Sequence, residues 1–310
     1  MPHLPADLIV FERGWLSSNN LLCLGDEPAV IDTGHVKHAA DTVRQVGHAL
    51  DGQALATIAH THLHSDHCGG TGALQQTWPG ARTWVPQASL AHVQAWDEAA
   101  LSFEGTAQRC ARFGAEHALA PGQTVRLGRY DWEIHAAPGH DARAVLLHEP
   151  THGVLVTGDA LWEHSVGVIF PHIDGTGDFE TFNDTLALIE RIAPRHVVPG
   201  HGAPFDAASG ALAAALARAR QRITHFQADP ARHALYAARV LVKYQMLDAE
   251  RMTAAALNDW LARTPTLHAL HQQHRPGQPW REWIESEVLT PLVERGALRR
   301  EGREVLDGRA

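Results

Sequence analysis

The run His60-Thr61-His62-Leu63-His64-Ser65-Asp66-His67-Cys68-Gly69-Gly70 places four histidines and an aspartate directly behind an apolar stretch that reads as a β-strand. At a strand end, residues two apart point the same way, so His62 and His64 can converge on one ion. Asp66 and His67 follow the turn, at the start of a helix, and can face a second ion. His60 is expected to close the strand. Imidazole and carboxylate together suit zinc, and also iron or manganese, so the donor set does not name the metal.

One loop cannot close two metal sites, so further donors are required downstream, each at a strand end. Pro138-Gly139-His140-Asp141 follows the strand candidate Trp132 to Ala137. Thr157-Gly158-Asp159-Ala160 follows Gly153 to Val156, and Pro199-Gly200-His201-Gly202 follows Arg195 to Val198. A glycine precedes each donor, where the backbone must turn sharply or approach an ion closely. The chain holds 23 histidines, so an isolated His-x-His would carry little weight. An ordered set of separated motifs carries much more.

That order resembles the metallo-β-lactamase superfamily over about residues 1 to 205: the Thr-His-x-His-x-Asp-His run, then Gly-His, Gly-Asp and Pro-Gly-His-Gly. The resemblance implies that His62, His64 and His140 hold one divalent ion and Asp66, His67 and His201 the other, with Asp159 bridging. Ile31-Asp32-Thr33-Gly34 matches the early Asp-x-Gly that supports such a site from behind. It also implies an α/β fold, a four-layer αββα sandwich with every donor loop along one edge. Periodicity alone gives only mixed α and β. Strands are read at Leu8 to Phe11, Leu21 to Leu24, Ala29 to Ile31, Ala56 to Ala59, Thr83 to Val85, Trp132 to Ala136, Ala144 to Leu147 and Val154 to Val156. Helices are read at Val36 to Leu50, Gly69 to Trp78, Ala88 to Ala100 and Thr181 to Ile192.

With 310 residues and 45% hydrophobic content, the chain can bury a large core plus a smaller one. Residues 1–205 are expected to form the catalytic domain and 206–310 a helical C-terminal domain. There, Ala237, Val240, Leu241 and Tyr244 share one helix face, and Trp280, Trp283, Ile284 and Val288 another. The segment Leu292 to Leu306 reads as a short hairpin, giving a winged-helix-like appendage or an irregular helical cap. A net charge of −9 argues against general affinity for nucleic acid or anionic membrane. Met1 to Asn20 lacks the build of a signal peptide, and no run is long enough to span a membrane. The cysteines Cys23, Cys68 and Cys110 form no framework of pairs, which fits a reducing cytoplasm. Cys68 is expected to be a small packed residue, and Trp15, Trp78 and Trp84 core or subdomain-contact groups. A homodimer is compatible with all of this.

Two ions close together let a bridging water act as hydroxide near neutral pH, so hydrolysis is the expected chemistry, with Asp66 ligating and relaying a proton. His64 at the second motif position distinguishes the chain from flavodiiron relatives, which carry glutamate there. The form resembles type II glyoxalases and other thioesterases, lactonases, and persulfide dioxygenases with a single iron. Cleavage of a small-molecule thioester or related ester is the leading expectation. An endoribonuclease with a winged-helix tail, a mononuclear-iron persulfide dioxygenase and a lactonase are the alternatives. Arg239 and Lys243 compare only loosely with the glutathione-binding cations of glyoxalases, and are expected to solvate a helix face. Trp162, Glu163, His164, Phe170 and His172 lie on the loop expected to shape the pocket, and no aromatic hydroxyl is placed at the site by sequence.

Overall fold

The computed structural model describes residues 4–169 and 179–308. The first half builds a six-stranded sheet in the spatial order β1 (Leu8–Phe11), β2 (Asn20–Cys23), β3 (Ala29–Ile31), β4 (Thr57–Ala59), β5 (Arg82–Pro86) and β6 (His117–Leu119). β1 to β3 pair antiparallel, and β3 to β6 parallel. A second six-stranded sheet holds β7 (Thr124–Leu127), β8 (Tyr130–Ala136), β9 (Val145–Glu149), β10 (Val154–Gly158), β11 (His196–Pro199) and β12 (Phe205–Asp206), each beside its neighbour in number. Only β10 and β11 run parallel there. β6, β7 and β12 are additions to what the sequence pattern shows: each is short and lacks a long apolar run.

Period-two alternation explains how the sheets face each other. Trp132 and Ile134 of β8 point inward, whereas Glu133 and His135 point outward. The inner layer joins Leu21, Ile31 and Ala59 of the first sheet to Trp132, Ile134, Leu147 and Val156 of the second. Outside the first sheet lie α1 (Ala39–Leu50), the short α2 (Ser65–Cys68) and α3 (Thr71–Thr77). Thr42, Val46 and Leu50 of α1, four residues apart, face inward. The sequence reading of one helix over Ala88 to Ala100 is corrected: α4 (Leu90–Ala95) stops at Trp96, whose left-handed φ of 51° breaks the ladder. α5 (Phe103–Thr106) follows. Outside the second sheet, α6 (Phe179–Ile192) and α7 (Ala211–Ala228) bury Phe182, Leu186, Leu216 and Ile223 against Leu146, Leu155 and Val197. The result is a four-layer αββα sandwich.

The C-terminal region is mainly helical. α8 (Pro230–Ala249) begins with Asp229 accepting from the Arg232 N–H and with proline at its first position, a start pre-set by fixed φ. It packs with α9 (Ala254–Arg263), α10 (Pro265–His274), α11 (Trp280–Trp283), a π-helical turn (Ile284–Leu289) and α12 (Thr290–Glu294) around Leu241, Trp283, Ile284 and Val288. The expected hairpin is β14 (Leu298–Glu301) with β15 (Glu304–Asp307), and β13 (Arg251–Thr253) joins it in the order β13-β15-β14. Lys37 donates to the Leu247 and Asp248 carbonyls, and Arg109 pairs with Asp248, fastening α8 over the donor edge of the sandwich. Among the described residues, no helix is long and apolar enough to cross a membrane.

Candidate metal centre

β3 and β4 end side by side, which brings Asp32 next to the loop that follows β4. Asp32 sits in a left-handed conformation, φ 57°, which costs a non-glycine residue about 1–3 kcal/mol. That backbone aims its carboxylate at three donors: the Thr61 N–H at 2.9 Å, the Thr61 hydroxyl at 2.8 Å and His67 Nδ1–H at 2.8 Å. His60 is fully buried and outside the donor set, its Nε2 3.0 Å from the Thr71 hydroxyl.

All seven side chains singled out by the sequence meet at this edge. His62, His64 and His140 form one group; Asp66, His67, Asp159 and His201 form another, with donor atoms in each within 4.8 Å of one another. His62 Nε2 lies 3.1 Å from His64 Nδ1, which lies 2.8 Å from His140 Nε2. His67 Nε2 is 3.3 Å from Asp159 Oδ1, and His201 Nε2 is 3.0 Å from Asp66 Oδ2. The two oxygens of Asp159 divide between the groups, Oδ2 standing 3.4 Å from His140 and Oδ1 beside His67. Gly200 is required by close approach: a Cβ there would run into Asp159 Oδ1 and stand 2.8 Å from His67 Cε1.

Proton positions follow from the partners and give a test of cation fit. His140 Nδ1 is 2.6 Å from the Val168 carbonyl, which only accepts, so Nε2 carries a lone pair. The Thr61 hydroxyl gives its proton to Asp32, so it accepts from His62 Nδ1–H and leaves His62 Nε2 bare. His64 Nδ1, between these two, can donate to one at most, and Asp141 stands 3.8 Å from its other nitrogen. At least one contact near 3 Å therefore opposes two lone pairs, an arrangement that a cation relieves. His67 is oriented in the same way: Nδ1–H goes to Asp32, and the buried Nε2 turns toward Asp159 Oδ1 without a well-formed hydrogen bond, an anionic surrounding that favours a cation there. The donor set fits divalent metal ions.

Electrostatics agree. Burial pushes the His62 imidazolium down, helped by His67, His64 and His140. Burial and His64 likewise bring His140 to about 4. Burial also opposes charge on His67, but Asp159, Asp32 and Asp66 outweigh it and hold this imidazole well above its usual range. Burial raises the carboxyls, yet His67 and His201 overcome it, leaving Asp159 well below the ordinary range and Asp66 at about 2.

A cavity of about 130 Å³ opens over both groups, lined by His64, Asp66, His140, Asp159 and His201 and by Trp15, Trp162, Ser102, Thr106, Gln108, Val168, Val240, Leu241 and Tyr244. Trp162 is on the loop expected to shape the pocket, and its Nε1–H donates to Asp159 Oδ1 at 3.1 Å. Glu163 and His164 do not line this cavity; the Glu163 carbonyl accepts from Arg218, and His164 is exposed. Phe170 and His172 lie outside the described residues. Of the two placements expected for Trp15, core or subdomain contact, the core one is corrected: it is 49% exposed, stacks on His201 at 5.7 Å and faces Val240 and Tyr244 of α8 across the cavity. Trp78 packs in the outer core of the first sheet, and Trp84 against the inner layer. Tyr244 supplies the aromatic hydroxyl that sequence did not place. Ser65 donates to Gln108 Oε1, so the Tyr244 hydroxyl donates to Ser65 Oγ at 2.8 Å, and burial keeps the phenol protonated. Arg239 and Lys243 do not simply solvate a helix face: Arg239 donates to the Glu287 carbonyl, and Lys243 bonds the Ala297 carbonyl and pairs with Asp307. Cys68 is buried, its sulfur 3.7 Å from that of Cys110.

A four-layer αββα sandwich gathering imidazoles and carboxylates on one edge is the build of a metal-dependent hydrolase. The chain belongs to the metallo-beta-lactamase superfamily, whose family model matches residues 13–201, and that superfamily binds divalent metals. It is 30% identical over 258 residues to a hydroxyacylglutathione hydrolase of Anaeromyxobacter dehalogenans, covering 80% of this chain and 89% of that protein. A hydroxyacylglutathione hydrolase of Legionella pneumophila is 30% identical over 142 residues, and the match spans under half of each chain, 46% and 45%. The human mitochondrial persulfide dioxygenase is 28% identical over 36% of this chain and 35% of its own. Among solved structures, a metallo-beta-lactamase family protein of Thermus thermophilus shares the fold along 97% of both chains, with a TM-score of 0.54 and 22% identity.

Proposed function

We propose that the protein is a dinuclear metal-dependent hydrolase of thioesters or related carboxylic esters. The observation that carries this reading is Asp159, whose two oxygens face different donor groups beneath one cavity. His62, His64 and His140 would hold one ion, and Asp66, His67 and His201 the other. Two divalent cations held there would supply Lewis acidity toward a carbonyl oxygen and would lower the pKa of a water toward neutrality. Zinc suits the set, as do iron and manganese.

The chain's own groups do the rest. Asp32 and Val168 hold Nδ1–H of His67 and of His140 on the far side of each ring, so that the near nitrogen faces the cluster, as a lone pair in His140 and, in His67, as a proton that a bound cation would displace. Asp66, ionised and 3.0 Å from His201, would help to hold the second ion and is placed to pass a proton toward the departing thiolate. Water oxygen ends on the acyl carbon and the carbon–sulfur bond breaks, giving an acid and a thiol. The hydroxyacylglutathione hydrolase relatives support this bond type.

The persulfide dioxygenase relative keeps a second reading in play, distinguished by metal count. A nuclease reading has less support, because two of the three hairpin cations are paired, Arg299 with Glu301 and Arg300 with Glu285, as is Arg251 of the adjoining strand with Glu304. The experiment is metal content per chain in protein purified without added metal, followed by turnover of a thioester panel. Two ions with cleavage bears the proposal out. One iron without cleavage, and oxygen consumed with a persulfide, replaces it with the dioxygenase.

A further inference from the structure

A second cavity, of about 280 Å³, adjoins the one over the donor groups, sharing Trp15, Trp162, Val168, Val240 and Tyr244 with it. Its remaining walls are Tyr236, Leu247, Ser165 and Lys243. The site therefore continues into a trough whose surface is aromatic and aliphatic. Trp15 at its rim is the sole large apolar side chain left exposed among the described residues. An isolated exposed apolar residue means little, but one continuous with an apolar cavity beside a reactive centre marks a place where ligand covers it. Trp15 and Trp162 are held in place by their packing on His201 and on each other, at centroid distances of 5.1 to 5.7 Å, so the trough is built before any ligand arrives.

Charge narrows the occupant. A glutathione or nucleotide carrier brings carboxylates or phosphates, which call for cations in the wall. Lys243 is the single cation in the lining among the described residues, and its ammonium is engaged by Asp307 and the Ala297 carbonyl. Residues 170–178 contain no lysine or arginine.

We propose that this trough is the subsite for an uncharged apolar arm of the substrate, a medium-length alkyl or an aryl group, in place of a charged thiol carrier. The assignment of that arm to a substrate rests on the hydrolase reading above; the affinity of the trough does not.

The test uses that separation. Full-length protein is titrated, by tryptophan fluorescence, with unreactive thioethers: S-butyl, S-hexyl and S-octyl N-acetylcysteamine, and S-hexylglutathione. Affinity is expected to rise about fourfold per added methylene until the trough is filled, the ratio for transferring one such group from water. The neutral hexyl ligand should bind more tightly than its glutathione counterpart. Leu247→Glu, which sets a carboxylate in the wall away from the donor groups, should weaken the octyl ligand roughly tenfold while metal content holds. A flat series, or tighter binding of S-hexylglutathione, overturns the proposal, and this comparison on the unmodified protein decides even if the variant does not fold. Absence of thioester cleavage with the chain-length series intact would remove the hydrolase reading and leave the apolar subsite standing.

Discussion

Asp32→Asn removes a charge that touches no substrate, and its effect follows from three hydrogen bonds. The carboxylate accepts from the Thr61 N–H, the Thr61 hydroxyl and His67 Nδ1–H, all at 2.8 to 2.9 Å. Asparagine keeps one acceptor oxygen and turns an NH₂ toward a group that also donates. Bonds to a charged partner contribute about 1.5–3 kcal/mol each. Losing the one that fixes the His67 tautomer, at about 2 kcal/mol, corresponds to roughly thirtyfold, within the range of 10–100-fold for such supporting residues. Affinity at the Asp66–His67–His201 group should fall by that factor. The His62–His64–His140 group, linked to Asp32 indirectly through the Thr61 N–H and hydroxyl, should lose much less. Competition with a chromophoric chelator resolves the two constants, and circular dichroism establishes that the variant is folded. A folded variant with both constants unchanged would falsify the claim that Asp32 sets the donor geometry.

Further outcomes follow from other contacts. His62→Ala should abolish turnover and Asp66→Asn lower it strongly; near-normal rates in either, measured with the best substrate of the panel, would sink the proposed roles. Gly200→Ala drives a methyl group into Asp159 and should lower the metal stoichiometry with little change in secondary structure, read by elemental analysis beside circular dichroism. Burial holds His35 and His140 at about 4, below 6.5, so the unfolded chain binds more protons in that window. Stability of the metal-free protein should therefore fall as pH drops from 6.5 toward 4, and urea midpoints that stay level across this range would contradict the burial of neutral imidazole. His67 is shifted the other way, so metal binding at neutral pH should release protons, seen as a binding heat that varies with buffer ionisation enthalpy.

The clustering of these seven side chains was legible in the sequence because four share one contiguous run and the other three, His140, Asp159 and His201, each follow a glycine just beyond a strand, where the absence of a side chain is itself a signal. The sandwich was legible through the resemblance, and most strands through their apolar runs. The pocket wall was not. Tyr244 and Val240 share a helical spacing with buried Ala237 and Leu241, and periodicity cannot separate a residue facing the core from one turned toward a cavity. Trp15 precedes β2 in an irregular stretch, where tertiary packing on His201 decides its place. The break at Trp96 has no local cue, since no glycine or proline marks it.

The donor edge and much of the wall opposite it come from different stretches of the polypeptide. The donors lie between His62 and His201, whereas Tyr236, Val240, Tyr244 and Leu247 belong to one later helix. Mutation can thus remodel what the cavity admits without disturbing the atoms that would ligate metal. Substitutions confined to that one helix are therefore expected to change which ligands the cavity admits while the cluster between His62 and His201 keeps its geometry.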